Sequence, residues 1–419
     1  MYIHSQKIMK SINNKRKKIF YGKAIYDHKE INAVLRVLKH NSLNLIDGPH
    51  VKKLESKICK LFGKKYALMV NSGSSANLLA LAALNFKKNS EIITPNLTFS
   101  TTVAPIFQLG LVPRFIGVEK NKFVADPNHI LEAINRKTVA IMIPNLLGNI
   151  ADWNRINKIA KKHKLFIIED SADTIGYKIN GKNTGRLTDI VTNSFYASHI
   201  ISGAGTGGIV CFNDRNLYQK AKLLRGWGRS SATFNESENI NKRFNIKISG
   251  IDYDAKYVFS EAGYNFLPSE ISAAFAIEQI KKLNDNIRIR NKNFKILKNF
   301  FSQYSKYFNL PEQNKGVVTP WLAFPLVIKE NNFFNRKKLQ LFLEKNNIQT
   351  RTVFTGNILK QPIMKNKIFK KIINSEEVAN NIMRNGILIG CHQGLSKKDL
   401  NYIMFTFKRF LINCKISKK

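Results

Sequence analysis

Cysteine is scarce: four in 419 residues, at positions 59, 211, 391 and 414. No two stand close enough for a Cys-x-x-Cys pair, which removes a disulfide framework and a cysteine-built zinc site from consideration. No metal site is expected. Acidic residues are also few, 28 Asp and Glu against 68 Lys and Arg, for a net charge of +40. No apolar run approaches the ~18 residues of a membrane span. The start, MYIHSQKIMKSINNKRKKIF, is basic but lacks the ~7–15-residue apolar core of a secretory signal. A cytoplasmic protein with no membrane partner is the expectation.

What is present is a globular composition, 44% hydrophobic. The basic residues are scattered along the chain, without zinc-finger spacing or an aromatic–basic RNP pattern, so no specific nucleic-acid partner is expected. A positive field of this size still draws anionic small molecules.

Residues 1–18 read as a basic flexible tail. From 66 to 212, seven short apolar runs (YALMV, EIIT, PRFIGV, AIMIP, LFIIED, IVTNSFY, GIVCF) alternate with helical patterns such as SSANLLALAAL and DWNRINKIAKKH. That alternation predicts an α/β fold with a large, mostly parallel, seven-stranded sheet covered by helices. The large domain is expected over 19–285. A smaller C-terminal α/β domain is expected over 286–419. It opens on a long helix through 286–315, and the runs WLAFPLVI, IQTRTVF and GILIG then alternate with further helices.

Ligands of such sheets sit at the carboxyl ends of the strands, so the residues after each run are the candidates. After YALMV, Gly73, Ser74 and Ser75 open a helix, whose free N–H groups and dipole suit a phosphate; a plain N-cap reads the same way. After EIIT, Phe99 can stack on a flat ring or fill core. After LFII come Glu169 and Asp170, with Asp173 beyond; a carboxylate ending a buried strand needs a partner, either a ligand cation or a helix N-terminus. After IVTN come Ser194 and, five residues on, His199. A lone histidine is usually structural, but this one shares its sheet edge with the others.

Together the stretches GPHVKKLE, NSGSSANLLALAAL, TPNLTFSTTVAP, IEDSADTIG, NSFYASH, GTGGIV and GYNFLPSEISAA resemble, in order, the DegT/DnrJ/EryC1/StrS sugar aminotransferase family of fold type I pyridoxal-phosphate enzymes. The resemblance implies a cofactor, pyridoxal or pyridoxamine 5′-phosphate. Its phosphate would be held at Gly73 by the backbone of Ser74 and Ser75, and by the Ser194 hydroxyl. Phe99 would stack on the ring, Asp170 would pair with the ring nitrogen, and Asp173 would stand near the ring hydroxyl, where most members carry glutamine. Asn265 would reach the phosphate of a neighbouring subunit, which implies a homodimer. Arg229 and Trp321 fall where members line the sugar-nucleotide side.

One position departs from the family. Most members carry a lysine at His199, which tethers the coenzyme and moves a proton at its C4′ carbon. Imidazole can do only the second. That exchange is similar to the nucleotide-sugar 3-dehydratase branch and implies loss of the C3 hydroxyl from a nucleotide-linked 4-keto-6-deoxyhexose, with glutamate restoring the amine form. The segment after Arg229, SSATFNESENINKRFNIKISG, contains no cysteine, so neither an iron–sulfur cluster nor a reductase partner is expected. Two other readings stay open: a sugar aminotransferase, and a non-catalytic nucleotide-sugar-binding relative. The segment ISGAGTGG after His199 is a residue longer than the family's usual ITxGEGG.

Overall fold

The structure is a computed structural model that describes residues 17–40, 45–234, 239–373 and 375–416. The expected tail at 1–18 therefore lies outside the described residues except for Lys17 and Lys18. Each expected run is a strand: β1 (Tyr66–Val70), β2 (Glu91–Pro95), β3 (Val112–Ile116), β4 (Thr138–Pro144), β5 (Phe166–Asp170), β7 (Ile190–Ser194) and β8 (Gly208–Phe212), with a two-residue β6 (Lys178–Ile179) outside the sheet they form. The strands are buried along almost their whole length because helices cover both faces, which is why the sequence shows continuous apolar runs and no alternation.

The order is β1-β8-β7-β5-β4-β2-β3, and the sheet carries an eighth member, Lys370–Lys371, parallel to β3 at the edge. The expectation of seven strands is corrected by this pair, which comes from the C-terminal part of the chain and is too short to leave a sequence pattern. All neighbours run parallel except β8, which is antiparallel to both β7 and β1. Because β8 reverses, the turn between Ser194 and Gly208 lies at the carboxyl edge of the parallel strands, where ligands bind.

The C-terminal part starts from the helix Leu283–Ser302, one residue after the helix Glu270–Lys281. The helix expected to run on toward Pro311 ends at Ser302, where the chain turns through Tyr304 into the short strand Phe308–Asn309. That strand, Phe324–Ile328 and Gly386–Ile389 form an antiparallel three-stranded sheet. The run IQTRTVF stays outside it. Its strand-like pairing consists of isolated bridges, Ile348 to Ile19 and Arg351 to Leu388. The core around this sheet is aromatic, with Phe294, Phe301, Phe308, Phe324, Phe407 and Phe410 all buried.

Among the described residues, no helix is long and apolar enough to cross a membrane, and no three His, Cys, Asp or Glu residues gather where they could hold a metal.

Candidate active site

A cleft of about 440 Å³ opens at the carboxyl edge of the large sheet. Gly73, Ser74, Phe99, Asp170, Asp173, Ser194 and His199 all line it. Its floor at β1 is set by close packing. A side chain at Gly73 would put its Cβ 2.5 Å from Ser194 Cβ, and one at Gly208 would lie 2.3 Å from the Ser72 carbonyl carbon. The helix Gly73–Leu84 therefore starts against the end of β7, with the bare glycine letting the Ser194 side chain approach its first turn.

Ser75 is a correction. Ser72 caps the helix by accepting the Ser75 N–H at 3.0 Å, and the Ser75 hydroxyl donates to Asn71 Oδ1 at 2.6 Å. Its backbone donor is already used inside the helix start, and Ser75 is absent from the cleft wall. Gly73 and Ser74 are left to meet a phosphate.

Asp170 ends β5, 5% exposed. Its Oδ2 accepts hydrogen bonds from Asn77 Nδ2 (2.8 Å) and Thr102 Oγ1 (2.9 Å), and its Oδ1 accepts the Ala172 N–H (3.1 Å). Burial raises its pKa above the ordinary carboxylate value, and the three donors oppose that rise. A cation placed beside it is favoured for the same reason. Asn77 and Thr102 are functional residues that the sequence reading missed. Asn77 could have been found as the one polar side chain inside NLLALAAL, a helix whose other buried positions are apolar. Thr102, in a TFSTT run, carries no such mark. Tyr21, also on the cleft wall, comes from the far N-terminal segment.

His199 sits on the turn between β7 and β8. The turn is closed by Phe195 N–H to Gly207 O (2.9 Å) and Gly203 N–H to Phe195 O (2.8 Å). Gly205 and Gly207 have φ of +100° and +112°, which only glycine adopts without strain. Ala204, between them and Gly203, is a non-glycine residue with positive φ, +55°. His199 Nδ1 lies 3.3 Å from the Ser194 carbonyl oxygen. A carbonyl only accepts, so Nδ1 carries the hydrogen and Nε2 holds the lone pair. Nε2 faces the cleft, 3.9 Å from Asp173 Oδ1. Burial pushes the imidazole pKa down to about 4, so the ring is a neutral base at ordinary pH. Burial pushes Asp173 up to about 7, against the Leu147 N–H that donates to its Oδ2 at 2.8 Å.

These two shifts have opposite linkage. His199 titrates near 4 when folded against 6.5 when unfolded, so its contribution to stability is full above 6.5 and is lost as pH falls toward 4. Asp173 titrates near 7 against 3.8, so its contribution is full below 3.8 and is lost as pH rises through 7. Across the shared window the slopes offset. Denaturant midpoints of coenzyme-free protein should therefore fall more steeply with rising pH, between about 4 and 7, in His199→Asn than in the parent. Parallel curves would show that the His199 imidazole is not shifted as stated.

Phe99 is half exposed, with its ring edge-on to Phe354 at 5.8 Å, so one face is free for a planar ligand. The remaining candidates lie elsewhere. Trp321 is a correction. It is 1% exposed, stacked on Phe294 at 4.4 Å in the C-terminal core, and does not reach the cleft; its neighbour Leu322 does. Arg229 lies over the Trp227 ring at 4.7 Å, in a separate cavity shared with Arg225 and Lys222. Asn265 is exposed beside Asn71 and does not line its own chain's cleft.

The helix start over Gly73, the buried Asp170 carboxylate and the Phe99 ring share one cleft, an arrangement that fits a pyridoxal-phosphate-type coenzyme. The model of the DegT/DnrJ/EryC1/StrS aminotransferase family matches residues 24–408, and the chain belongs to that family. Among curated proteins it is 36% identical to the GDP-4-keto-6-deoxy-D-mannose 3-dehydratase of Yersinia pseudotuberculosis, over 88% of this chain and 92% of that one. It is 33% identical to a lipopolysaccharide biosynthesis protein of Salmonella typhimurium, over 87% and 86%. The solved E. coli GDP-4-keto-6-deoxy-D-mannose-3-dehydratase with bound hydrated PLP superposes with a TM-score of 0.83 at 29% identity, covering 93% of this chain and all of that one.

Proposed function

We propose that the chain is a cytoplasmic, pyridoxamine-phosphate-dependent enzyme that removes the C3 hydroxyl of a nucleotide-linked 4-keto-6-deoxyhexose during surface-polysaccharide synthesis. The observation that carries this reading is His199 in the lysine's place, with Nδ1 occupied and Nε2 open. The names of the dehydratase relatives agree with it. The residues present fit the coenzyme. Gly73, Ser74 and Ser194 form a cradle that a single Cβ would fill, and Asp170 is placed to pair with a ring nitrogen.

When bound, pyridoxamine phosphate supplies an amine for the sugar's C4 ketone and a ring that takes up electrons. Asp170 would keep the ring nitrogen protonated. Phe99 would hold the ring face. His199 would accept the proton at coenzyme C4′ through Nε2, for which a neutral imidazole is required. Among the described residues, no lysine lines the cleft to serve an ordinary aminotransferase. Coenzyme in the wild-type protein should thus be lost on gel filtration and should not be fixed by borohydride. A borohydride-stable adduct would restore the aminotransferase reading. The deciding assay offers GDP-, CDP- and dTDP-linked 4-keto-6-deoxyhexoses with pyridoxamine phosphate and reads loss of water by mass spectrometry. Turnover should continue with glutamate alone and need no iron or reductase.

We further propose a homodimer with shared sites. Asn265 is exposed and bridged to Gly226, and in the same stretch of chain the rings of Tyr257 and Phe259, both more than half exposed, flank Arg229. Inactive His199 and Asn265 variants, mixed, should regain activity through hybrid dimers that hold one unaltered site. An active monomer in equilibrium sedimentation would end this proposal.

A further inference from the structure

We infer that Glu169 is a positioning residue: from the side of β5 away from the cleft, it fixes the Asp173 carboxylate opposite His199. Side chains alternate along a strand, so Glu169 and Asp170 point to opposite faces. Glu169 is fully buried, yet among the described residues no cation is hydrogen-bonded to it; the nearby Lys64 ammonium donates to the Thr188 and Asp189 carbonyls instead. Its two oxygens instead accept from Asn145 Nδ2 (2.8 Å), Ser171 Oγ (3.2 Å), Thr184 Oγ1 (3.0 and 3.1 Å), Thr188 Oγ1 (3.2 Å) and, in a short contact, the Tyr177 hydroxyl. A carboxylate only accepts, so each hydroxyl turns its hydrogen toward it.

Two routes run from this cluster to Asp173. The first passes through Asn145. Its N–H donates to the Asp170 carbonyl (2.8 Å), while its Oδ1 accepts from Trp153 Nε1 (3.0 Å) and the Ala151 N–H (3.2 Å). Asn145 thereby anchors the tight turn Leu146–Gly148, in which Leu147 holds φ +60°. The Leu147 N–H is the one hydrogen bond that the Asp173 carboxylate accepts among the described residues. The second route is the chain itself. Ser171 and Tyr177 bracket Asp173, and both are bonded to Glu169. Asp173 has no direct contact with Glu169; its place 3.9 Å from His199 Nε2 is set through this scaffold.

Glu169→Gln keeps the shape but turns a donor toward donors. In coenzyme-loaded protein, the Leu147 amide should exchange its hydrogen at least about tenfold faster, as expected when its acceptor is no longer held. Dehydration kcat should fall about 10- to 100-fold with KM little changed, the scale of a misplaced reacting group. In an Asp173→Asn background, the same substitution should have no further effect on kcat, because its influence passes through Asp173. Additive losses, or unaltered Leu147 exchange, would overturn the inference. Tyr177→Phe removes one donor and leaves no unpaired charge; it repeats both measurements should Glu169→Gln not fold. The kcat arm rests on the dehydratase reading. The exchange arm does not, so failure of one is distinguishable from failure of the other.

Discussion

Replacing His199 by asparagine is expected to lower turnover about 10²–10⁴-fold, the usual worth of a placed general base. Coenzyme binding should survive, because the phosphate cradle of Gly73, Ser74 and Ser194 and the carboxylate of Asp170 are untouched. Asparagine can still donate its amide to the Ser194 carbonyl, so the turn keeps its closing contact while losing the basic lone pair. The paired variant, His199→Lys, should hold coenzyme through gel filtration, yield a borohydride-fixed adduct and move the outcome from water loss toward amino transfer. Single-turnover mass spectrometry with 4-keto sugar separates the two. Dehydration at the wild-type rate by the asparagine variant would remove His199 from the chemistry.

The second large effect is expected at Asp170. Asp170→Asn should cost more than about 10²-fold in turnover, about 2.7 kcal/mol in the barrier, because a ring with an unprotonated nitrogen is a poor electron acceptor. The geometry separates this loss from a loss of binding. Asn77 and Thr102 both donate to one oxygen of residue 170. An asparagine would keep its carbonyl there and turn its amide toward the ring nitrogen, losing the Ala172 N–H bond that Asp170 Oδ1 accepts, so coenzyme would bind with the nitrogen unprotonated. Absorbance titration should show near-parental coenzyme affinity alongside the collapsed rate. Unimpaired turnover would make Asp170 a structural carboxylate.

The parts of the site that the sequence declares are those in which one residue follows a buried strand. Asp170, Ser194 and His199 are of that kind, since an apolar run marks the strand and the sheet edge marks the ligand side. Gly73 was legible as a helix start, but the fate of each N–H was not. Whether Ser72 or a ligand takes the Ser75 donor depends on a side-chain rotamer that spacing does not encode. Trp321 misled for another reason: in PWLAF an indole can face a ligand or a core with the same pattern, and the packing of Phe294 decides between them. Asn77, Thr102 and Tyr21 reach the cleft from two helices and a distant strap, and only tertiary structure brings them together. The large sheet was readable from its long buried strands. The edge pair Lys370–Lys371 was not, because two charged residues form a strand only when a neighbour offers a template.

That edge pair constrains how the protein moves. Lys370 and Lys371 are zipped to Arg114 and Phe115 of β3, Val317 and Val318 are paired with Ile179 and Lys178 of β6, and Asn357 is bridged to Leu97. The C-terminal part is thus tied by backbone pairing to β3, to β6 and to the segment after β2. Attachment at separated places works against swinging about a single axis. Wide clamshell opening would have to break the backbone pairing at each of these places. Tyr21 and Phe354 line the cleft from a strap and a loop outside those pairings, so these two segments are where passage of a bulky sugar nucleotide is expected to be controlled. The expected gate is then a local one, with the chamber behind it keeping its shape.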